Sequence, residues 1–309
     1  LLTTIALQTA AAIESAHLYQ KGLKEARDRE EAIRVIHEVT QKFVPSEFIK
    51  SLGKAKITEI SLGDLTEREV TVVFADIREF TTISEGLSPK DNFLFVNGFN
   101  NRMGPIVRKN EGFIMQYLGD GFMALFPKGP QSALNASVEM HKVLHEYNKE
   151  RVLKKRLPVK IGVGMQNGNL IMGITGDSNR LDAAIISDTV NTAARIEGLS
   201  KHYGTSILLT KECKDKLTNQ QAFNFRFLGP VQVKGKQKSI DLYECINGDD
   251  DSMSYYFNKE FAMAAVAFQE IFKLNTMDQT SKLFLNKSAH LITQEIEDNW
   301  KGIELMNTK

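Results

Sequence analysis

Two aspartates stand where they could hold hard cations. Asp76 closes the run VTVVFAD, in which Thr71 to Ala75 are dominated by β-branched and aromatic residues, the composition of a buried strand. Asp120 lies in FIMQYLGDGFMALF, two apolar runs joined at Gly119-Asp120-Gly121. A D-G pair between such runs predicts a β-hairpin, because its turn needs residues that tolerate φ > 0. Carboxylates at two strand ends, each beside glycine or the start of a short helix, supply the oxygen donors that Mg²⁺ prefers.

The elements that must position these groups follow from periodicity. A strand over 70–75, a helix over 90–109, the hairpin over 113–126 and a helix over 131–149 come first. After Pro158 the spacing predicts a strand VKIGVGM, a turn at Asn167-Gly168-Asn169 and a second strand LIMGI. A strand AAIIS, a helix from Asp188 to about His202, a strand SILL, a short helix and two strands ending in IDLYEC complete residues 70–247. This βαββαβ order with hairpins predicts an α+β fold, one sheet covered by helices, and not a doubly wound parallel sheet. Residues 1–44 read as one long helix ended by Pro45. Leu2, Ile5, Ala12, Ala16, Tyr19, Leu23, Ala26 and Ile33 form a heptad seam, interrupted by Glu30, that Ile36 and Phe43 continue in a shifted register; a parallel dimeric coiled coil is expected in preference to a helix packed on its own domain. Residues 45–69 read as a linker or transducer. Beyond the acidic break Gly248-Asp249-Asp250-Asp251, residues 248–309 read as helices: YYFNKEFAMAAVAFQEIFKL, SKLFLNKSAHLITQEI and DNWKGIELMNTK. The first two make a single tetratricopeptide-like antiparallel pair, which must dock its apolar face on the main domain or on a partner.

Composition removes several alternatives. The 309 residues carry a formal net charge of +1, which gives no bulk attraction to nucleic acid or an anionic membrane. No run approaches the roughly 18–20 apolar residues that span a bilayer, and there is no signal peptide, so a cytoplasmic location is expected. Cys213 and Cys245 have no metal-ligand or redox spacing and read as reduced core thiols. GVGMQNG is not a dinucleotide fingerprint. His141 and His145 lack the glutamate of a zinc helix and read as a solvated helix face. The chain opens Leu-Leu in mid-helix, so it is expected to continue upstream, where any sensor or anchor would lie.

FADIREFTTISE, EGFIMQYLGDGFMALF, VKIGVGMQNGNLIMGITG, SDTVNTAARIEGLS and VQVKGKQKSIDLYE, in this order over about 180 residues, resemble the signature blocks of class III nucleotidyl cyclases of bacterial type. The resemblance implies a ferredoxin-like βαββαβ core and a head-to-tail homodimer with active sites at the subunit interface. It implies a nucleoside triphosphate substrate and two Mg²⁺ or Mn²⁺ ions per site. Asp76 and Asp120 match the metal-binding aspartates, and Ile77 supplies a backbone carbonyl. Backbone amides after Asp76, at Phe80 and Thr81, would cradle phosphate. Asn191 and Arg195 match the family's Asn-x-x-x-Arg pair, which orients ribose and stabilises the transition state, and Lys234 matches the lysine on the terminal phosphates. LLTTIALQTAAAIESAHLYQ also resembles the last helix of a GAF sensor domain entering a signalling helix, and the tail resembles the C-terminal extension of many bacterial members.

The pattern departs at base selection. Adenylyl members place Lys and then Asp or Thr at two base-reading positions, and guanylyl members place Glu and then Cys or a similar small residue. Here they are Gln116 and Ala184. A carboxamide has donors and an acceptor and can pair with either purine, whereas Ala184 offers only shape. Gln for Lys is the milder change, so adenylate cyclase is the expected activity, with a guanylate or relaxed ATP/GTP cyclase as the alternative. A different class of reading is a degenerate cyclase fold that senses nucleotide or binds a partner. Ser187 and Glu79 also replace glycines usual in the family.

Overall fold

A computed structural model describes residues 2–40, 42–233, 237–246, 252–294, 296–297 and 299–306. Residues 1–62 and 63–309 form two compact units. In the first, α1 (Leu2–Thr40) is a helix of 39 residues, about 58 Å long at 1.5 Å per residue. Along it Ile13, Tyr19, Leu23, Ile33 and Ile36 leave 44–69% of their surface exposed. Pro45 then caps α2 (Ser46–Ser51). No helix among the described residues is long and apolar enough to cross a membrane.

The second unit is built on one sheet. Its strands are β1 (Leu65–Ile77), β2 (Phe113–Tyr117), β3 (Gly121–Phe126), β4 (Ile161–Gly176), β5 (Leu181–Ile186), β6 (Ile207–Thr210), β7 (Asn224–Val233), β8 (Ile240–Ile246) and β9 (Glu304–Met306). Their order is β2-β3-β1-β4-β6-β8-β7-β9, with β5 paired to β4. With α4 (Pro89–Lys109) and α5 (Pro130–Leu153) between them, β1 to β4 form the ferredoxin-like βαββαβ core. Strand alternation sorts the two faces. Val73, Ala75 and Ile77 join Phe99, Met103, Val107 and Met140 of α4 and α5 in one core. Val70 and Val72 point to the other face, where α6 (Asp188–Tyr203) lies across β4 and β1.

That helix sits against bare backbone. A β-carbon at Gly164 would come within 2.1 Å of the Glu197 amide nitrogen, and one at Gly168 within 2.6 Å of Thr189 Oγ1. The turn expected at Asn167-Gly168-Asn169 does not form, and β4 runs through it unbroken. Asn167 is buried within the strand, accepting from Thr71 Oγ1 at 2.9 Å and donating to Glu69 Oε1 at 2.7 Å. The glycine that reads as a turn former serves instead as a close-approach residue. Gly164→Ala is expected to cost about 1–3 kcal/mol by forcing α6 outward. Gly198→Ala, on the open side of the same helix with nothing within 4 Å, should be neutral or stabilise by up to about 1 kcal/mol. Urea unfolding of the two variants checks the contrast.

The described residues from Ser252 onward dock on the α6 face. The helix expected from Tyr255 to Leu274 is broken: α8 (Ser252–Phe257) and α9 (Phe261–Leu274) are separated by Lys259 at φ +65°. After α10 (Gln279–Leu291), the segment read as a third helix instead ends in β9, parallel to β7 with Glu304 opposite Val231 and Met306 opposite Val233. Gly302 at φ +65° interrupts helical geometry, and Leu305 out with Met306 in has the period of two that a sheet edge selects. Tyr256, Phe261, Phe268 and Phe284 share a core with Tyr203 of α6 and with Leu228 and Leu242 of the sheet. Glu304 accepts from Tyr203 Oη at 2.7 Å and Lys287 Nζ at 2.6 Å and meets His202 Nε2 at 3.1 Å. Burial alone would raise its carboxyl, but these partners hold it down at about 2.

Burial pushes the thiols of Cys213 and Cys245 up to about 12, which fits the core reading. His141 departs from its expected solvated face. It is half-buried, with Nδ1 2.8 Å from the Ser137 carbonyl and Nε2 3.4 Å from that of Ile161, and burial lowers its pKa. His145, one turn on, is exposed.

Candidate active site

Asp76 is the penultimate residue of β1, opposite Gly121 of β3 on one side and Gly162 of β4 on the other. Neither neighbour has a side chain, and the carboxylate uses the space: a β-carbon at Gly121 would come within 2.6 Å of Asp76 Oδ1. Asp120 belongs to the β2–β3 turn, which Gly119 enters at φ +83°. The Ile77 amide donates to the Asp120 carbonyl at 3.2 Å, and the Leu118 amide to that of Gly121 at 2.8 Å. The first bond pins the turn to the end of β1 and brings the two aspartates together, and the second closes the turn itself. The Asp76 carboxyl is pushed up to about 6, first by burial and then by the Asp120 charge.

This donor set fits a divalent cation. Two carboxylates crowded until one resists ionisation are relieved by positive charge between them, and oxygen is the donor Mg²⁺ prefers. Among the described residues no group of three His, Cys, Asp or Glu could hold a metal by itself. Further oxygens would have to come from a ligand, as is usual for Mg²⁺ held by one or two carboxylates and phosphates.

Three neighbours were not singled out from the sequence: Arg78, Glu197 and Ser200. Burial lowers the Arg78 guanidinium's pKa while Glu197 and Asp76 hold it up, and its Nη2 donates to the Thr205 carbonyl at 2.7 Å. Glu197 is pushed up to about 7, by burial first and then by Asp76, and its Oε1 lies 3.3 Å from Ser200 Oγ. A signal for Glu197 was available. It lies four residues after Ala193, a buried position of α6, so helical period places a carboxylate toward the sheet.

The other predicted residues lie around this centre. Phe80 and Thr81 open α3 (Phe80–Glu85), directly after Glu79 at φ +53°, a left-handed conformation natural to the glycine it replaces. The Phe80 ring stacks on Phe95, centroids 6.3 Å apart. Gln116 is exposed on β2, at a bulge that follows Ile114. Ala184 is half-buried on β5 opposite Gly173. Asn191 is exposed and Arg195 half-buried on α6, whose N-cap is Ser187; its Oγ accepts from the Thr189 amide and donates to the Asn169 carbonyl at 2.7 Å. The serine that departs from the family pattern therefore fixes the helix start. Lys234 lies outside the described residues, just beyond the end of β7.

One chain does not bring all these groups to one point. Thr189 lies against Gly168, Glu197 against Gly164 and Ser200 against Gly162, the residue opposite Asp76. Ser200 is thus level with Asp76. Asn191, nine residues earlier, is displaced by about 14 Å along the helix axis.

Residues 65–256 match the family described as the adenylate and guanylate cyclase catalytic domain. An adenylate cyclase of Anabaena cylindrica is 38% identical over 210 residues, 66% of this chain and 42% of that protein. The adenylyl cyclase CyaB from P. aeruginosa superposes with a TM-score of 0.53 at 25% identity, over 60% of this chain and 96% of that one. The guanylyl cyclase Cya2 gives 0.51 at 25%, over 58% and 92%. The chain spans less than half the length of the curated relatives it matches first. Since the matched segment takes in more than half of the residues, along the very strands and helix that carry the acidic and Asn/Arg groups, the chain belongs to the class III adenylate and guanylate cyclases.

Proposed function

We propose that this chain is the catalytic part of an adenylate cyclase, converting ATP to 3′,5′-cyclic AMP and pyrophosphate at a head-to-tail homodimer interface. The observation that carries this reading is the pairing of Asp76 and Asp120 at the end of β1, while Asn191 stands about 14 Å away along α6. One protomer's aspartates would face the partner's helix. The ribose 3′-oxygen forms a bond to the α-phosphorus as the bond to the β-phosphate oxygen breaks. The hydroxyl proton leaves to solvent. Held by Asp76, Asp120 and the Ile77 carbonyl, two Mg²⁺ or Mn²⁺ ions would lower the pKa of that hydroxyl and neutralise charge on the phosphates. Asn191 orients the ribose. Arg195 forks onto the α-phosphate oxygens as their charge grows, Lys234 meets the terminal phosphates, and the amides of Phe80 and Thr81 cradle them.

In this reading residues 70–247 are the catalytic domain and 248–309 an extension of helices closed by β9. Residues 1–44 are the end of a GAF-like domain and a signalling helix, joined through a transducer at 45–69. Paired parallel copies of α1 would carry an upstream signal, in a protein placed in the cytoplasm. The purified protein with Mn²⁺ is expected to make cyclic AMP from ATP. Absence of product from both ATP and GTP would overturn the proposal.

Gln116 and Ala184 set the base preference. An exposed carboxamide that can present either edge, with an alanine at the second base-reading position, favours ATP only weakly. Gln116→Lys supplies a fixed donor and should raise the ATP/GTP ratio of kcat/KM by about 10-fold, the worth of roughly one charged hydrogen bond. An unchanged ratio would count against this placement of Gln116.

A further inference from the structure

The residue between the metal-site strand and the strained Glu79 has a separate task. Arg78 follows Ile77, and its guanidinium turns back over β4 toward the end of α6. Its Nη2 donates to the Thr205 carbonyl at 2.7 Å, and its own amide donates to Lys160 at 2.8 Å. The space it occupies exists because Gly162 is bare: a β-carbon there would lie 2.8 Å from Arg78 Cζ and 2.5 Å from Ser200 Oγ. The guanidinium and the last turn of α6 therefore flank the same backbone position, the one opposite Asp76. The Thr205 amide in turn donates to the Ser200 carbonyl at 2.9 Å. One turn before Ser200, Glu197 is wedged on Gly164 and lies within electrostatic reach of both Arg78 and Asp76. The end of β1 and the C-terminal half of α6 are thus one hydrogen-bonded, closely packed block.

We propose that Arg78 is a positioning residue that links the two active sites of the dimer through a single subunit. It ties the Asp76–Ile77 strand end, which serves one site, to the helix whose Asn191 and Arg195 serve the other. This rests on the shared-site reading above. A helix is stiff along its axis, so a shift imposed at Thr205 and Ser200 is carried to Arg195 and Asn191. Filling one aspartate pair would then bias the geometry of the opposite site.

Mixed dimers test this. One protomer carries Asp76→Ala and the other Arg195→Ala, co-expressed with two affinity tags and purified in tandem. One intact site remains, made of the second protomer's aspartates and the first protomer's α6, and half the wild-type turnover per dimer is expected. Arg78→Leu or Arg78→Lys is then added only to the Asp76→Ala protomer, where Arg78 adjoins the dead metal site. The expected result is a kcat of the intact site reduced about 10- to 100-fold, the cost of a displacement near 1 Å, with KM for ATP changed less than 2-fold. Arg78→Lys keeps the cation and carries the test if Arg78→Leu fails to fold, as judged by thermal melting of the mixed dimer. A kcat unchanged by either substitution in this arrangement, while the same substitution in the Arg195→Ala protomer lowers it, would confine Arg78 to its own metal site and overturn the proposal. A mixed dimer with no activity before Arg78 is touched, from a wild type that is active, would instead remove the shared-site reading, and this inference with it.

Discussion

Asp76→Asn is expected to abolish cyclisation and at the same time to stabilise the metal-free protein. On the proposed mechanism the loss follows from removing a charge that would hold cations over developing phosphate charge; a loss of about 4 kcal/mol of such stabilisation is a 10³-fold fall in kcat/KM. The gain follows from linkage. In the fold the Asp76 carboxyl is raised to about 6, by burial and then by Asp120, whereas the unfolded chain ionises near the ordinary value. The folded state therefore binds the proton more tightly. Its stability is greatest below the unfolded pKa and falls as pH rises through about 6, levelling off above. Two pKa units correspond to about 3 kcal/mol, and the half-buried setting reduces this to about 1–3 kcal/mol at neutral pH. Glu197, raised to about 7, acts in the same sense and carries the decline slightly higher in pH. In EDTA at pH 8 the Asn variant should melt a few degrees above wild type, and the difference should close at pH 4. Millimolar Mg²⁺ should raise the wild-type Tm and leave the variant where it was. A variant that melts lower than wild type in EDTA would show that Asp76 is not strained by its neighbour.

The second large effect concerns the tail. Arg226 of β7 leaves only 4% of its side chain exposed, between Glu244 of β8 at 3.1 Å and Asp278 at 2.8 Å, and Asp278 also caps α10 by accepting from the Ser281 amide. Arg226→Leu removes the cation from between the buried Glu244 and the half-buried Asp278. Breaking such a network by removing one partner costs about 3–5 kcal/mol, so the variant's melting midpoint should fall by about 10 °C. Combining it with Glu244→Leu and Asp278→Asn, which removes both charges and keeps the cap, should recover most of the loss, because a packed apolar replacement of a buried ion network is close to neutral. Failure of the triple variant to recover would mean that shape, not charge, ties the extension to the sheet.

The core of the fold was legible because its signals are local. Strands with β-branched runs, a D-G hairpin and two long amphipathic helices each declare themselves within a dozen residues, and their order βαββαβ fixes the sheet. What was not legible depended on contacts across the fold. Gly168 reads as a turn because glycine permits one, yet its bare backbone serves a helix that arrives twenty residues later, and no local pattern separates the two uses. Residues 303–306 alternate as a strand, but four residues are too few to outweigh the helical context before them without the β7 edge. Asp76 and Asp120 stand out as carboxylates at strand ends, and Asn191 and Arg195 through the likeness of SDTVNTAARIEGLS to a family block. Arg78 and Glu197 do not, since a basic residue after a strand and an acid in a helix are common, and only the closeness of β4 to α6 gives them a role.

The two cysteines have a practical consequence. At neutral pH thiols whose pKa is pushed to about 12 are almost wholly protonated, and the thiolate is the form that reacts with maleimides and methanethiosulfonates. The native chain is therefore close to silent toward spin labels and fluorophores. A single cysteine introduced at an exposed position of α1, such as Ile13→Cys or Ile36→Cys, could be labelled without first stripping Cys213 and Cys245 from the core. Two such labels, one per copy, would report whether two copies of this rod, nearly 60 Å long, pair as proposed, and whether such a pair splays, slides or turns when nucleotide is bound.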